Sequence, residues 1–336
     1  MFRVAALEPD SGDYQGFGRS LLAGVRAGLV MTGPSGLPIE LDARSSGDDD
    51  PARVVAAFDS VAERSGAVIG ELLSVPTLVL ATAARYAGVP LVSPTATDEG
   101  IGLLSPTAFQ VGPSGYERGA RLAGAMLGGS RERVGMLVSS SAERGALSLG
   151  FATAAERMDS PVAWRESYAA GTLNFRDDVR ALEANQIELL FWDGDPREAE
   201  ALLRQHARDH VAVRLCGGEG LDPGRHHAET RVLLEGARYV GDEWELDPAG
   251  SARLDRLLER EPGQHADALA GRGYLAGRML AAGVAGGALC PEELTVFLSS
   301  RVAADPYLRA RGFLDLSGEG VTLPVYTVRK GKGVVE

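Results

Sequence analysis

Short apolar runs alternate with segments of helical spacing along almost the whole sequence. The spacing predicts strands over 2–7, 37–41, 67–70 and 89–92, with helices over 21–29, 51–62 and 77–86 between them. Parallel neighbours need a crossover long enough to hold a helix, so this β-α alternation implies parallel sheets covered by helices on both faces. The wind then recurs. Strands are predicted over 134–138, 162–168, 187–192 and 211–215, with helices over 147–157, 175–184 and 198–206. A long helical stretch over 251–286, another over 291–302 and a final strand over 321–328 complete the pattern. The sequence itself does not repeat; the architecture does, which implies two similar lobes. No Pro/Gly/Ser-rich linker separates the halves, so several thin crossovers are expected in place of one tether.

The 336 residues suit about two domains. The longest apolar runs fall well short of the roughly 18 residues that a membrane-spanning helix needs. A net charge of −12 argues against a general nucleic-acid binder or a protein docked on anionic lipid, because both surfaces would repel it. Cys216 and Cys290 are too far apart in sequence for a CxxC motif and too few for a disulfide scaffold, so both are expected to be free. Met1 leads straight into the first strand without an export signal. The chain is therefore either cytoplasmic or an exported protein whose signal lies outside this sequence.

In open α/β sheets, ligands bind beyond the carboxyl ends of the strands. The segments there are 10–18, 71–77, 93–97, 139–143, 193–195 and 217–219, rich in Gly, Ser, Thr and acids. Cofactor and metal signatures are weak. Gly16-Phe17-Gly18 lacks the third glycine of a dinucleotide fingerprint, since position 21 is leucine. The two lysines, Lys330 and Lys332, are not in a phosphate-binding loop. His206 and His210 share a helical spacing but sit among Arg204, Arg208 and Asp209, as on a solvated face. His226-His227 falls in a polar loop and is expected to be exposed. No cofactor, metal or catalytic residue is assigned.

Three stretches point further: Ser11-Gly12-Asp13-Tyr14-Gln15-Gly16-Phe17-Gly18, then Ile69-Gly70-Glu71-Leu72-Leu73-Ser74 with Ala87 to Thr97, and Gly217-Gly218-Glu219-Gly220. Their order and spacing resemble the type I periplasmic binding proteins, in particular the branched-chain amino-acid (Leu/Ile/Val) receptors, over nearly the whole chain. The resemblance implies a Venus flytrap: two doubly wound parallel-sheet α/β lobes joined by three crossovers. The first lobe is expected over 1–114 plus 240–318, the second over 115–239 plus 319–336.

Carried over position by position, the resemblance makes Ser74 the hydroxyl that binds a ligand carboxylate. Thr95 and Thr97 would hold the amino-acid backbone, Glu219 would reach the ammonium from the other lobe, and Phe17 would form an aromatic wall. The chemistry suits those roles: free N–H groups at a helix N-terminus favour a carboxylate, and an ammonium wants acceptors. The alternative for Ser74 and Thr97 is helix capping. Glu143 and Asp195 stand where the receptors usually place aromatics. With Glu219, three carboxylates could then face one ligand, which would select a basic amino acid or polyamine; alternatively Glu143 pairs locally with an arginine. The implied role is a non-enzymatic, extracytoplasmic solute-binding protein, periplasmic or anchored as an envelope lipoprotein, serving an ABC permease. The other role weighed is a regulatory, sensor or scaffold module on the same fold, with ligand binding altered or lost.

Overall fold

The computed structural model describes the chain except for residues 31–37, 48–49, 130–131, 141–144, 210–211, 242–243 and 260–264. It divides into two compact units, Met1–Gly112 with Glu245–Thr322 and Pro113–Trp244 with Leu323–Glu336. The chain therefore passes between them three times.

The first passage through unit 1 alternates β1 (Phe2–Glu8), α1 (Gln15–Leu29), β2 (Ile39–Ser45), α2 (Pro51–Ala62), β3 (Ala67–Gly70), α3 (Ser74–Ala87), β4 (Leu91–Ser93), the short α4 (Ile101–Leu104) and β5 (Ala108–Gln110). Local chemistry sets several of these ends. Asp50 caps α2 by accepting from the Ala52 N–H at 3.0 Å, and Pro51 occupies the first turn, where its missing N–H costs nothing. Gly88 ends α3 in the left-handed region, at φ 69°. Among the described residues the strands form one sheet in the order β2-β1-β3-β4-β5, and every described pairing is parallel.

In unit 2 the chain continues through α5 (Gly115–Leu127), β6 (Val134–Ser139), α6 (Gly145–Arg157), β7 (Val162–Tyr168), α7 (Arg176–Ala184), β8 (Leu189–Asp193), α8 (Pro196–Arg208), β9 (Arg214–Gly217), α9 (Ala228–Leu233) and β10 (Arg238–Tyr239). It returns to unit 1 for β11 (Glu245–Leu246), α10 (Pro248–Leu258), α11 (Ala268–Ala285), α12 (Pro291–Ser300), α13 (Pro306–Arg309) and β12 (Val321–Thr322). The end of the chain adds β13 (Tyr326–Arg329) and β14 (Lys332–Val335) to unit 2. That unit's sheet runs β14-β13-β10-β9-β8-β6-β7, parallel from β10 to β7 and antiparallel at the β13 and β14 edge.

Each unit buries an aliphatic and aromatic core against its sheet. In unit 1, Leu7, Phe58, Val68, Leu80 and Leu91 belong to one buried cluster. In unit 2, Trp192 and Phe175 lie in one cluster, Phe151 and Phe191 in another. Glycine lets the covering helices meet backbone to backbone. A Cβ added at Gly24 of α1 would lie 1.9 Å from the Ala270 carbonyl oxygen of α11. One added at Gly150 of α6 would lie 1.9 Å from the Tyr116 carbonyl oxygen of α5.

Two sequence expectations need revision. The helical stretch over 251–286 is two helices, because Asp267 starts α11 afresh by accepting from the Ala270 N–H at 2.7 Å. The single strand expected over 321–328 is also two. β12 pairs antiparallel with β11 in unit 1, β13 pairs antiparallel with β10 in unit 2, and Pro324, which has no N–H to donate, lies between them. Both cysteines are free; Cys216 is buried and Cys290 half-buried.

Candidate ligand-binding site

In unit 1 the winding reverses between β1 and β3. β1 connects outward to β2, while β3 leads the other way to β4 and β5. The carboxyl ends of the two strands flanking such a reversal form the natural crevice of an open α/β sheet. Glu8 ends β1 and Glu71 directly follows β3.

Ser74 is the first residue of α3 and does not cap it: Leu73 is the extended residue before the helix, and no side chain caps it. Instead the Ser74 Oγ accepts from the Thr97 N–H at 3.3 Å. Thr95, nearly buried, donates its hydroxyl to the Leu72 carbonyl at 2.8 Å. Thr77 donates to the Leu73 carbonyl at 2.7 Å and receives the Glu71 N–H at 3.2 Å. Ser74, Thr95 and Thr97 thus belong to one hydrogen-bonded set of two loops. Ser74, accepting from Thr97, keeps its own proton for donation. The N–H groups of Ser74 and Val75 occupy the first turn, where no helical acceptor exists, while Pro76 contributes none. This edge offers neutral donors at the positive end of a helix, an environment suited to a carboxylate. Phe17 lies on α1 in the same unit, half exposed, with its ring 6.3 Å from that of Tyr14.

In unit 2 the reversal falls between β6 and β8, whose last residues are Ser139 and Asp193. Glu219 opens a short 3-10 turn after β9. Its carboxylate pairs with the Arg225 guanidinium, and Arg118 Nη1 lies 3.8 Å from its other oxygen. Arg118 also donates to the Gly241 carbonyl at 2.9 Å. Asp195 caps α8. It accepts from the Arg197 N–H at 3.0 Å, and Glu198 returns the bond to the Asp195 N–H at 2.8 Å. The Glu219 turn rests on this loop, since a Cβ at Gly220 would come within 2.3 Å of the Gly194 carbonyl. Unit 2 therefore brings Asp195 and Glu219 onto neighbouring loops. Glu143 lies outside the described residues.

The expectation of an exposed His226 is overturned. Its imidazole is buried, and Nε2 lies 2.7 Å from the Gly220 carbonyl, because the turn 223–225 folds back beneath the Glu219 loop. The sequence reading also passed over Glu8 and gave Glu71 no role of its own. The available signal was an acid at the carboxyl end of each of two apolar runs. Among the described residues there is no cluster of three or more His, Cys, Asp or Glu side chains that could hold a metal ion, and no helix is long and apolar enough to cross a membrane.

The family model described as periplasmic binding protein matches residues 2–301. Among solved structures, one from Rhodospirillum rubrum described as a branched-chain amino acid ABC transporter aligns over 100% of this chain and 99% of its own, with a TM-score of 0.75 and 18% identity. An ABC transporter substrate-binding protein from Desulfitobacterium hafniense in complex with Leu aligns over 100% and 99%, with a TM-score of 0.68 and 18% identity. A solute-binding protein from R. palustris in complex with 4-hydroxybenzoate aligns over 100% and 95%, with a TM-score of 0.62 and 15% identity. No curated protein matches this sequence.

Proposed function

This chain belongs to the periplasmic binding protein family, and we propose that it is a non-enzymatic, extracytoplasmic receptor that captures a small carboxylate ligand of the amino-acid class for an ABC permease. The observation that carries this reading is the unit 1 edge, where the Ser74 hydroxyl and the first amides of α3 stand free to donate while Thr95 and Thr97 fix the loops around them. The ligand's carboxylate binds there. Glu219 of unit 2 then takes the ammonium, and Phe17 packs against the side chain. Asp195 acts through α8 and the loop that supports Glu219, since its carboxylate is engaged by helix amides.

A second reading rests on the arginines around Glu219. With Arg225 paired to it and Arg118 beside it, unit 2 can neutralise Glu219 without an ammonium. That state favours a carboxylate that carries no amine, such as the 4-hydroxybenzoate held by the R. palustris protein. Glu219→Ala separates the two. For an amino acid it removes a charge-assisted contact worth roughly 1.5–3 kcal/mol, or about ten- to a hundredfold in affinity. For a benzoate-like ligand it frees two guanidiniums, and affinity holds or rises.

The first experiment is a thermal-shift screen of the twenty amino acids, common polyamines and benzoates, since a ligand that binds only the folded state raises Tm. Stabilisation by lysine, arginine or polyamines would support a basic ligand, and by leucine or valine alone a neutral one. Flat responses in protein shown to be ligand-free would overturn the receptor reading in favour of a sensor or scaffold module.

A further inference from the structure

The two acids at the unit 1 reversal differ in their surroundings. Glu71 is fully buried, and its carboxylate accepts from the Ser46 hydroxyl at 2.5 Å and from the Leu73 N–H at 2.8 Å. Glu8 is 4% exposed, and neither of its carboxyl oxygens has a hydrogen-bond partner among the described residues. Strands β1 and β3 pair in parallel with Leu7 opposite Gly70, so the two acids leave the sheet side by side.

A buried carboxylate with no donor, beside a second acid, is strongly disfavoured and is relieved by keeping its proton. We propose that Glu71 is the positioning residue of the Ser74 loop, and that an un-ionised Glu8 braces it from beneath, so that loss of the Glu8 proton releases the loop. This rests on the Ser74 loop being the ligand-binding loop. Glu71 holds that loop one residue before Ser74, through the Leu73 amide, and ties it through Ser46 to the exit of β2.

Burial first, and the negative charge of Glu71 second, push the Glu8 carboxyl well above the ordinary carboxylate range. Other charged groups near this corner are engaged elsewhere. Asp10, leaving β1, receives the Ser45 hydroxyl; Arg44 of β2 pairs with Asp42; Arg53 of α2 lies beside the capping Asp50; and Arg19 of α1 is exposed. Among the described residues Glu71 is thus the charge that acts on Glu8. In the held loop Glu8 keeps a proton that it gives up once released. The hold is therefore complete below the ordinary carboxylate range and is lost as pH rises through the raised Glu8 value.

The test is hydrogen exchange on the full chain without ligand, from about pH 5 to about pH 9, with protection corrected for intrinsic base catalysis. Protection of the Leu73 and Thr97 amides should fall by up to about tenfold per pH unit until Glu8 ionises. In Glu8→Gln, which is neutral at every pH, it should stay level. An equal slope in Glu8→Gln, or no slope in the unaltered chain, would overturn the proposal. If Glu8→Gln fails to fold, Ser46→Ala supplies the check, because removing a Glu71 donor should lower Leu73 protection at every pH; unchanged protection there would overturn the role of Glu71. Titrations with L-leucine and benzoate at both ends of the range then separate this inference from the receptor reading. A pH-sensitive loop in protein that no amino acid, polyamine or benzoate stabilises leaves the carboxyl pair standing and counts against the receptor. Binding that ignores pH counts against the brace.

Discussion

Both units reverse their winding at one pair of adjacent parallel strands, yet they place different chemistry there. In unit 1 the strand ends carry two buried acids, and the edge above them is made of hydroxyls and main-chain amides locked to one another. In unit 2 the ends carry Ser139 and Asp193, and the neighbouring loops carry charged side chains already matched to guanidiniums or helix amides. The same topology yields one edge fixed by short-range hydrogen bonds and another whose charges can exchange partners. Salt and pH should therefore act on the two edges differently.

The sharpest way to break this contrast is Thr95→Val. It keeps the shape but strips the buried Leu72 carbonyl of its donor, and should cost about 1–3 kcal/mol in urea denaturation, with ligand binding lost alongside. Asp195→Ala removes the cap of α8 and should cost about 1 kcal/mol, reduced by the residue's exposure, while any bound ligand keeps most of its affinity. A large affinity loss without a stability loss would place Asp195 against the ligand. Arg118→Ala should cost less than about 1 kcal/mol, because its pair with Glu219 is long and partly solvated. That small cost should shrink further in high salt, whereas the Thr95→Val cost should not. The smallest effect is a difference in thiol labelling. Cys290, half-buried and with its thiol raised by the neighbouring Glu292 and Glu293, should still react without unfolding, while Cys216, whose thiol burial pushes well above its ordinary pKa, should react only as unit 2 opens. Asp195→Ala should quicken Cys216 labelling, and Thr95→Val should leave it unchanged.

The contrast also marks how far the sequence could be read. Where the determinants are local, sequence and structure agree to the residue. The α2 span 51–62 has its proline and aspartate in place, and the β3 span 67–70 is a plain apolar run. Distant partners decide the rest. The residues 321–328 alternate like one strand, but β11 claims one end and β10 the other, and nothing nearby in sequence announces either. The hydrogen bond joining Thr97 to Ser74 spans 23 positions, and only the family resemblance made those residues candidates together. His226 looked solvated because its neighbours are polar, whereas its acceptor is a carbonyl six residues back across a turn. Glu8 was invisible for the opposite reason: it ends an apolar strand, and an acid there reads as the start of a loop.

The three passages between units carry a consequence for how this protein is made. Unit 1 needs residues up to Thr322, and the unit 2 sheet is completed only by β13 and β14. Made from its N-terminal side, unit 1 cannot be finished before Thr322, and unit 2, begun at Pro113, waits beyond that for β13 and β14, so neither half can complete its fold before most of the other has been made. The nascent chain stays incomplete, and therefore threadable, until late. Deleting β13 and β14 should accordingly damage the half whose other residues were made well before them.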